Sequence, residues 1–467
     1  MTEQWRDVAH LAARMPAGFT MGVATSAFQI EGGVREGRRG RSTWDEFMGE
    51  RGRILDGSTA AVAADHFHRV REDVALLADL GVDAYRFSFA WTRLQPEGRG
   101  GANRAGVAFY DQLLDELLAA GIRPMATLYH WDTPEPVQRA GGWLNRDTAY
   151  RLADYAYLAG EAFGDRIENW VTVNEPATVT LNGYALGVHA PGATLLFDAL
   201  PAAHHQLLGH GLAVEALRAA GVTGGVGIVN VHSPVEPASD KPQDALFADL
   251  FDLLHNRLYA EPVLLGRYPD VPDEFRKEFS FLESVDPDDL NLISRSLDFY
   301  GLNYYLPTRI RAGAPKSSAT PDGRAGAVRR LPFSLVDWPE FARTGFGWPV
   351  APGYLTVALR ELAERYGDAL PPVYITEGGA SFPDIVAADG TVDDTERTAY
   401  LADHLAAAFQ GAAGVDLRGY FVWSLLDNWE WAAGFTQRFG IVHVDEHTQD
   451  RTPKGSYRWL QALLQSR

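Results

Sequence analysis

Hydrophobic and polar positions follow a repeated order along the chain: an amphipathic helical pattern, a glycine, a short apolar run, then polar or aromatic residues. The segment RVREDVALLADLGVDAYRFSFAW is the clearest case. The apolar residues that share one helical face in it are Val70, Val74, Leu77 and Leu80. Gly81 is suited to end that helix in a left-handed conformation, and residues 84–90 have the composition of a strand. This order predicts a helix followed by a buried strand.

The same order recurs along the rest of the chain, as in FYDQLLDELLAAGIRPMATLYHW, where Gly121 separates a helical pattern from a strand at 125–129. The eight strand candidates are FTMGVATSAF, YRFSFA, MATLY, WVTVNEP, GGVGIVNVHS, SLDFYGLNYY, VYITEGG and GYFVWS. Strands that alternate with helices imply parallel pairing and right-handed crossovers. We therefore predict an α/β fold, a single (β/α)₈ TIM barrel catalytic domain over residues 1–467. A doubly wound open sheet is the alternative.

The chain is much longer than the roughly 250 residues that a minimal barrel needs. The surplus falls after strands, in about 25–68, 176–224, 232–296 and 306–370. Loops that follow the strands surround the C-terminal face of a barrel, where active sites lie. Long loops there predict a deep pocket, and the stretch 312–330, rich in small and polar residues, is expected to be its most mobile part.

Charge and composition narrow the possible partners. The formal net charge is −19, which repels phosphate backbones and anionic lipid, so neither nucleic acid nor a membrane is an expected partner. The chain has no cysteine, which excludes disulfides, thiolate metal sites and cysteine nucleophiles. No segment has a membrane-spanning length, and the opening residues lack the apolar run of a leader peptide. We expect a soluble cytoplasmic protein, and the sequence does not determine its oligomeric state.

Polar and aromatic side chains end the strand candidates or follow them closely. They are Arg86, His130, Trp131, Asn174, Glu175, Asn303, Tyr305, Glu377, Trp423, Glu430 and Trp431. Glu175 and Glu377 close the fourth and seventh strands, which places them on opposite sides of a closed barrel. Glycosidic cleavage requires such a pair, since one carboxyl group protonates the leaving oxygen and the other attacks or activates water. The strand ends therefore predict a sugar-cleaving site.

Several longer segments resemble glycoside hydrolase family 1, the β-glucosidase and β-galactosidase family. They are FTMGVATSAFQIEGG, YRFSFAW, TLYHWDTP, WVTVNEP, GLNYY, YITEGG and WSLLDNWEWAAGFTQRFGIVHVD, and they run in order from residue 19 to about 445. The resemblance, closest to a bacterial β-glucosidase, implies hydrolysis of terminal non-reducing β-D-glucosyl residues through a covalent glycosyl-enzyme intermediate. It implies Glu377 as the nucleophile and Glu175 as the acid/base, with a β-glucoside or β-linked oligosaccharide as substrate.

The resemblance also implies which residues hold the substrate, with Arg86 supporting the carboxylates. The substrate-binding residues would be Gln29, His130, Trp131, Asn174, Asn303, Tyr305, Trp348, Trp423, Glu430, Trp431 and Phe439. Arg86 near Glu377 would favour the ionised carboxylate. Glu175 has to begin the reaction protonated, and burial together with a nearby anionic Glu377 would raise its pKa.

Two residues depart from the family pattern. Gly378 follows the nucleophile, where the family usually has Asn, and we expect this second glycine to loosen the loop. Phe28 stands before Gln29 in place of the usual tyrosine. Two other branches of the family are disfavoured, because Glu430 and Gln437 differ from the 6-phospho-glycosidases and Glu175 differs from the glutamine of myrosinases.

Two other functions stay open. A transglycosylating β-glycosidase would form the same intermediate and pass the sugar to an alcohol, and a non-catalytic sugar-binding barrel would bind without turnover. The sequence leaves open the choice between glucose, galactose and fucose. His204, His205 and His210 lack a carboxylate at helical spacing, so no metal and no cofactor are expected.

Overall fold

The computed structural model of the protein describes residues 7–315 and 327–467, and its centre is a closed barrel of eight parallel strands. The prediction of a (β/α)₈ barrel is confirmed, and the open-sheet alternative is wrong, because the last strand pairs with the first. The strands are β1 (Thr20–Ala24), β2 (Ala84–Ser88), β3 (Arg123–Tyr129), β4 (Asn169–Asn174), β5 (Gly225–Val231), β6 (Phe299–Asn303), β7 (Val373–Gly378) and β8 (Leu417–Trp423).

Long helices between the strands cover the outside of the barrel. They are His66–Leu80, Arg104–Ala119, Asp147–Phe163, Leu200–Ala219, Pro242–Asp252, Leu258–Leu265, Pro352–Tyr366 and Thr395–Gly411, and Gly455–Gln465 follows β8. The first of them ends as its sequence predicts, since Gly81 has a φ of 80° and donates its N–H to the carbonyl of Leu77. Among the described residues, no helix is long and apolar enough to cross a membrane.

Two apolar layers hold the barrel together. One fills its interior with side chains from alternate strand positions, namely Ala24, Ala84, Met125, Val171, Val229, Phe299, Phe421 and Trp423. The larger layer lies between the strands and the outer helices, and it includes Val70, Val74, Leu77 and Leu80, the predicted apolar face of the first long helix. Alternation within each strand therefore directs apolar side chains to both layers, and most of the predicted polar site residues lie at or near the strand ends.

The connections after β5 and β6 add a sheet that the sequence patterns did not predict. In it, Thr308–Ala312 lies between Val235–Pro237, which is parallel to it, and Phe333–Val336, which is antiparallel. A second small hairpin pairs Val442–Val444 with Arg451–Pro453. Residues 316–326 lie outside the described residues, so the mobility expected for 312–330 stays a prediction.

The strand pairing is irregular close to the two glutamates. The β7–β6 register shifts between Ile375 and Glu377, and the β4–β5 register shifts between Val171 and Asn174. A bulge bends the strand and re-aims the side chains that follow it, and bulges are common beside active sites. The irregularities thus lie where the barrel presents Glu175 and Glu377.

Candidate active site

A cavity of about 910 Å³ opens at the carboxyl ends of the barrel strands. The predicted site residues that line it are His130, Trp131, Glu175, Tyr305, Trp348, Glu377, Trp423, Glu430, Trp431 and Phe439. The four other predicted residues form a buried polar layer behind these, and they are Gln29, Arg86, Asn174 and Asn303. Each of the four hydrogen-bonds to a residue of the lining. The structure therefore brings all the predicted site residues together.

Glu377 is held by one charged and one neutral donor. The Nη1 of Arg86 donates to its Oε1 at 2.6 Å, and the hydroxyl of Tyr305 donates to its Oε2 at 2.6 Å. The ion pair with Arg86 is almost completely buried. A buried, charge-assisted hydrogen bond is stronger than a neutral one, so Arg86 and Tyr305 together fix the position of this carboxyl group.

Glu175 follows β4 in a left-handed backbone conformation, with a φ of 48°. The amide of Asn303 donates to its Oε1 at 2.6 Å, and the hydroxyl of Thr178 donates to its Oε2 at 2.7 Å. Burial, and after it the charge of Glu377, raises the pKa of Glu175 to about 7. The two carboxyl groups therefore differ in their environments, and Glu175 carries a proton in much of the population at neutral pH.

Asn174 forms hydrogen bonds with both Arg86 and His130. Its Oδ1 accepts from the Nη2 of Arg86 at 2.6 Å, so its Nδ2 must be the atom that faces the Nε2 of His130 at 3.2 Å. Burial, and after it the charge of Arg86, holds the pKa of His130 well below its ordinary value, so the ring is neutral. Because Nε2 accepts from the amide, Nδ1 carries the ring proton.

Gln29 and Glu430 form a second polar pair. The Nε2 of Gln29 donates to Glu430 and to the Oδ1 of Asn428, both at 3.0 Å, while its Oε1 accepts from the hydroxyl of Ser26. Burial, helped by the charges of Glu377 and Glu175, raises the pKa of Glu430 to about 8. A protonated Glu430 can donate one hydrogen bond and accept others, which suits a sugar hydroxyl group.

Aromatic rings form two walls of the cavity. On one side Trp431 stacks against Phe28 and His130, each with ring centroids 6.0 Å apart. On the other side Trp348 stacks on Phe346 at 4.6 Å. Flat, rigid aromatic surfaces of this kind can pack against the apolar face of a sugar ring. Phe28, which replaces the usual tyrosine, is thus a packing residue behind Trp431.

Gly378 does not loosen a loop, contrary to what we expected from the sequence. It lies inside β7, paired with Val422 of β8, and a Cβ atom added there would come within 2.2 Å of the Tyr420 hydroxyl. Tyr420 is completely buried, and its hydroxyl has no hydrogen-bond partner in the described part of the chain. The expectation of a loosened loop is wrong, because the glycine makes room for the tyrosine of the neighbouring strand.

Sequence reasoning missed some supporting residues. Thr178 donates to Glu175, and Thr376 donates to the Oδ1 of Asn303 at 2.8 Å, which orients that amide toward Glu175. Asn428 and Ser26 orient Gln29. The signal for Thr178 is its position three residues after Glu175, and Asn428 lies within the NWEW motif that also contains Glu430.

Comparisons with known proteins agree with this site. The model of glycosyl hydrolase family 1 matches residues 11–467. β-Glucosidase A of Thermotoga maritima is 40% identical over 455 residues, which covers 97% of this chain and 98% of that protein. A β-glucosidase of Agrobacterium is 41% identical, with 97% and 96% of the two chains covered. The solved structure of the psychrophilic β-glucosidase from Micrococcus antarcticus has a TM-score of 0.91 at 42% identity, with 100% and 99% covered.

The chain belongs to glycosyl hydrolase family 1. It is a glycoside hydrolase that acts on O-glycosyl bonds, and the family cleaves them with retention of configuration.

Proposed function

We propose that the protein hydrolyses terminal β-D-glucosyl residues, with Glu377 as the nucleophile and Glu175 as the acid/base. The observation that carries this division of roles is the difference between the two carboxyl groups. Glu377 receives the buried Arg86 ion pair, whereas burial and the charge of Glu377 raise the pKa of Glu175 to about 7. Relatives about 40% identical over nearly the whole chain are named β-glucosidases, which supports glucose as the sugar.

The first step forms a glycosyl-enzyme. Glu175 donates its proton to the glycosidic oxygen as the bond between that oxygen and the anomeric carbon breaks. Glu377 forms a new bond to the anomeric carbon from the opposite face, so the sugar becomes α-linked to the enzyme. The leaving alcohol departs on the side of Glu175.

The second step reverses the role of Glu175. Glu377 has lost its charge as an ester, so the part of the rise in the pKa of Glu175 that came from this charge is gone. Glu175 can then accept a proton from water. The water oxygen attacks the anomeric carbon and releases Glu377 as a carboxylate. Two inversions give net retention, and the first product is the β-sugar.

The other groups hold the glucosyl unit. Glu430 and His130 supply donors and acceptors for its hydroxyl groups, and Trp423 and Trp431 supply apolar surface for its ring. Gln29 is buried behind the lining and orients Glu430. Trp348 and Phe439 add further apolar surface to the same cavity. The whole chain acts as a single catalytic domain in this proposal, and the cytoplasmic location expected from the sequence stays a prediction.

A panel of 4-nitrophenyl β-glycosides tests the proposal. The glucoside should be hydrolysed with a higher kcat/KM than the galactoside or the fucoside. Proton NMR of the reaction should show the β-anomer of glucose before mutarotation mixes the two forms. Absence of turnover on every glycoside would contradict the proposed activity, and an α-anomer formed first would contradict the roles of the two glutamates.

A further inference from the structure

The cavity is larger than a glucosyl unit requires. Its volume of about 910 Å³ lies near the top of the range of roughly 300–1,000 Å³ that is typical of pockets for drug-sized ligands. Beyond the two glutamates it extends into an apolar region that we call the side chamber. The side chamber is lined by Leu181, Leu186, Phe197, Phe251, Leu254 and Phe333.

Two π-helical segments contribute walls of the side chamber. Val179–Ala185 supplies Leu181, and Leu253–Arg257 supplies Leu254. Such segments are rare in proteins and occur often at functional sites, because the extra residue in the turn changes which side chains the helix presents. Both segments line one cavity, and the first begins four residues after Glu175.

The position of the side chamber determines which part of a substrate can reach it. Glu175 protonates the oxygen of the leaving group, so the leaving group has to lie beside Glu175. The chain runs directly from Glu175 through Pro176–Thr178 into the first π-helical segment. The side chamber is therefore on the path of the leaving alcohol and not of the glucosyl unit, which Glu430 and Trp431 hold.

The walls of the side chamber are suited to an apolar group. Leu186, Phe197, Phe251 and Leu254 pack against the core with part of each side chain and stay partly exposed. Of the nearby polar groups, Thr180 accepts from Gln206, and the Nδ1 of His255 donates to the Oδ1 of Asn256 at 3.0 Å. The Tyr259 hydroxyl is a polar group of the lining that has no hydrogen-bond partner among the described residues. A second sugar would lose hydrogen bonds to water there, whereas a hydrocarbon would gain from leaving water.

The cavity lining also includes the charged residues Arg309, Arg330 and Asp337, and Asp337 pairs with Arg343 at 2.6 Å. Arg309 lies over the ring of Trp338 at 3.6 Å and donates to Glu340 at 2.7 Å. Arg330 is exposed. Neither supplies a free charge to the side chamber, so its six lining residues decide what it binds.

We propose that the side chamber binds the apolar part of the leaving alcohol, so that the preferred substrates are β-glucosides of long-chain or bulky apolar alcohols and not glucans. This inference rests on the proposed hydrolysis of β-glucosides. It makes Leu254 and its neighbours specificity-determining residues that contact the leaving group without touching the reacting atoms.

A series of alkyl β-glucosides tests the inference, because the alcohols from butyl to decyl differ little in leaving ability. The measured quantity is kcat/KM below the critical micelle concentration. We expect it to rise by about two- to fourfold per methylene group, as burial of each group from water would give, and then to level off when the side chamber is full. From cellobiose to cellotriose we expect no rise.

Two substitutions at one position separate binding from folding. Leu254→Asn should flatten the rise along the alkyl series, and Leu254→Trp should make it level off at a shorter chain. Both should change kcat/KM for methyl β-glucoside much less than kcat/KM for the long-chain glucosides, because a methyl group does not fill the side chamber. Leu76→Asn is the matched control, since Leu76 is equally half-buried but lies on the helix His66–Leu80, outside the barrel, and its series should match the wild type.

A flat series for the wild-type protein would overturn the inference whatever the variants do. So would a wild-type rise that Leu254→Asn leaves unchanged, or a kcat/KM that rises with the length of cello-oligosaccharides but not of alkyl chains. If neither methyl nor 4-nitrophenyl β-glucoside were hydrolysed, the proposed function itself would fail, which is a distinguishable result.

Discussion

At the residue scale, the two glutamates of the site have different surroundings, which is the basis of the different roles that we propose for them. Glu377 lies between the Arg86 guanidinium and the Tyr305 hydroxyl, both donors at 2.6 Å. Within the described part of the chain, the side chains that donate to Glu175 are the neutral groups of Asn303 and Thr178, and burial raises the pKa of Glu175 to about 7. A buried carboxyl group whose pKa is raised toward neutral pH is a general sign of acid/base chemistry.

Gly378 leads to a prediction at the same scale. Gly378→Ala should lower the free energy of unfolding by about 1–3 kcal/mol, because the added methyl group overpacks the space taken by the Tyr420 hydroxyl. Tyr420→Leu should remove that conflict, so the double variant should lose less stability than the sum of the two single losses. Denaturant unfolding measures all four proteins, and strictly additive losses would mean that the two positions are not coupled.

At the element scale, a buried ionic cluster fixes the loops that follow β7 and β8. Lys454, at the start of the last helix, donates to Asp427 at 2.7 Å and also contacts Asp384. Arg397 pairs with Asp384 at 3.0 Å and also contacts Asp394. Asp427 precedes Asn428, which orients Gln29, so the cluster reaches the sugar site through the backbone of one loop.

Lys454→Met should therefore affect both stability and binding. Removing one partner of a buried charge cluster typically costs about 3–5 kcal/mol, because the remaining charges stay uncompensated. The loop that contains Asn428 and Glu430 should shift, so KM for a 4-nitrophenyl glucoside should rise more than kcat falls. Lys277→Met, at an exposed position, is the control and should change neither. If Lys454→Met lowered stability but left KM unchanged, the cluster would be structural only.

At the scale of the whole molecule, the site makes stability depend on pH. The pKa of Glu175 is raised from its ordinary value of 4.5 to about 7 in the folded protein. The folded state therefore binds this proton more tightly than the unfolded state. Its contribution is fully present below about pH 4.5 and is lost as the pH rises through about 7. The net charge of −19 adds self-repulsion in the same direction.

Glu175→Gln should remove the part of the pH dependence of stability that comes from Glu175. The variant and the wild type should have similar melting temperatures at pH 4.5, and the variant should melt at a higher temperature at pH 8. At pH 8 its free energy of unfolding should exceed that of the wild type by about 3 kcal/mol. Calorimetry of the variant and the wild type between pH 4.5 and pH 8 measures this difference. Glu283→Gln, at an exposed position, should show a constant difference from the wild type. A constant difference for Glu175→Gln as well would contradict the raised pKa.

Much of the fold could be predicted because helical and strand periodicities repeat along the chain. The site could be predicted because strand ends in a closed barrel must converge, which brings Arg86, Glu175 and Glu377 together. The small sheet of 235–237, 308–312 and 333–336 could not, since its strands lie in the long connections and outside the alternation of helices and strands that predicts the barrel. The space that Tyr420 takes beside Gly378 depends on packing between strands, which no local pattern encodes.

The most direct test of the two glutamate roles is the anomer of the product formed with azide. In Glu175→Ala the glycosyl-enzyme should form from a dinitrophenyl glucoside and then stall, because no base activates water. Azide needs no base, so it should attack that intermediate and give the β-glucosyl azide. In Glu377→Ala azide should attack the anomeric carbon of the substrate from the face opposite the leaving group, and the product should be the α-glucosyl azide. The same anomer from both variants would contradict the assignment of Glu377 as nucleophile and Glu175 as acid/base.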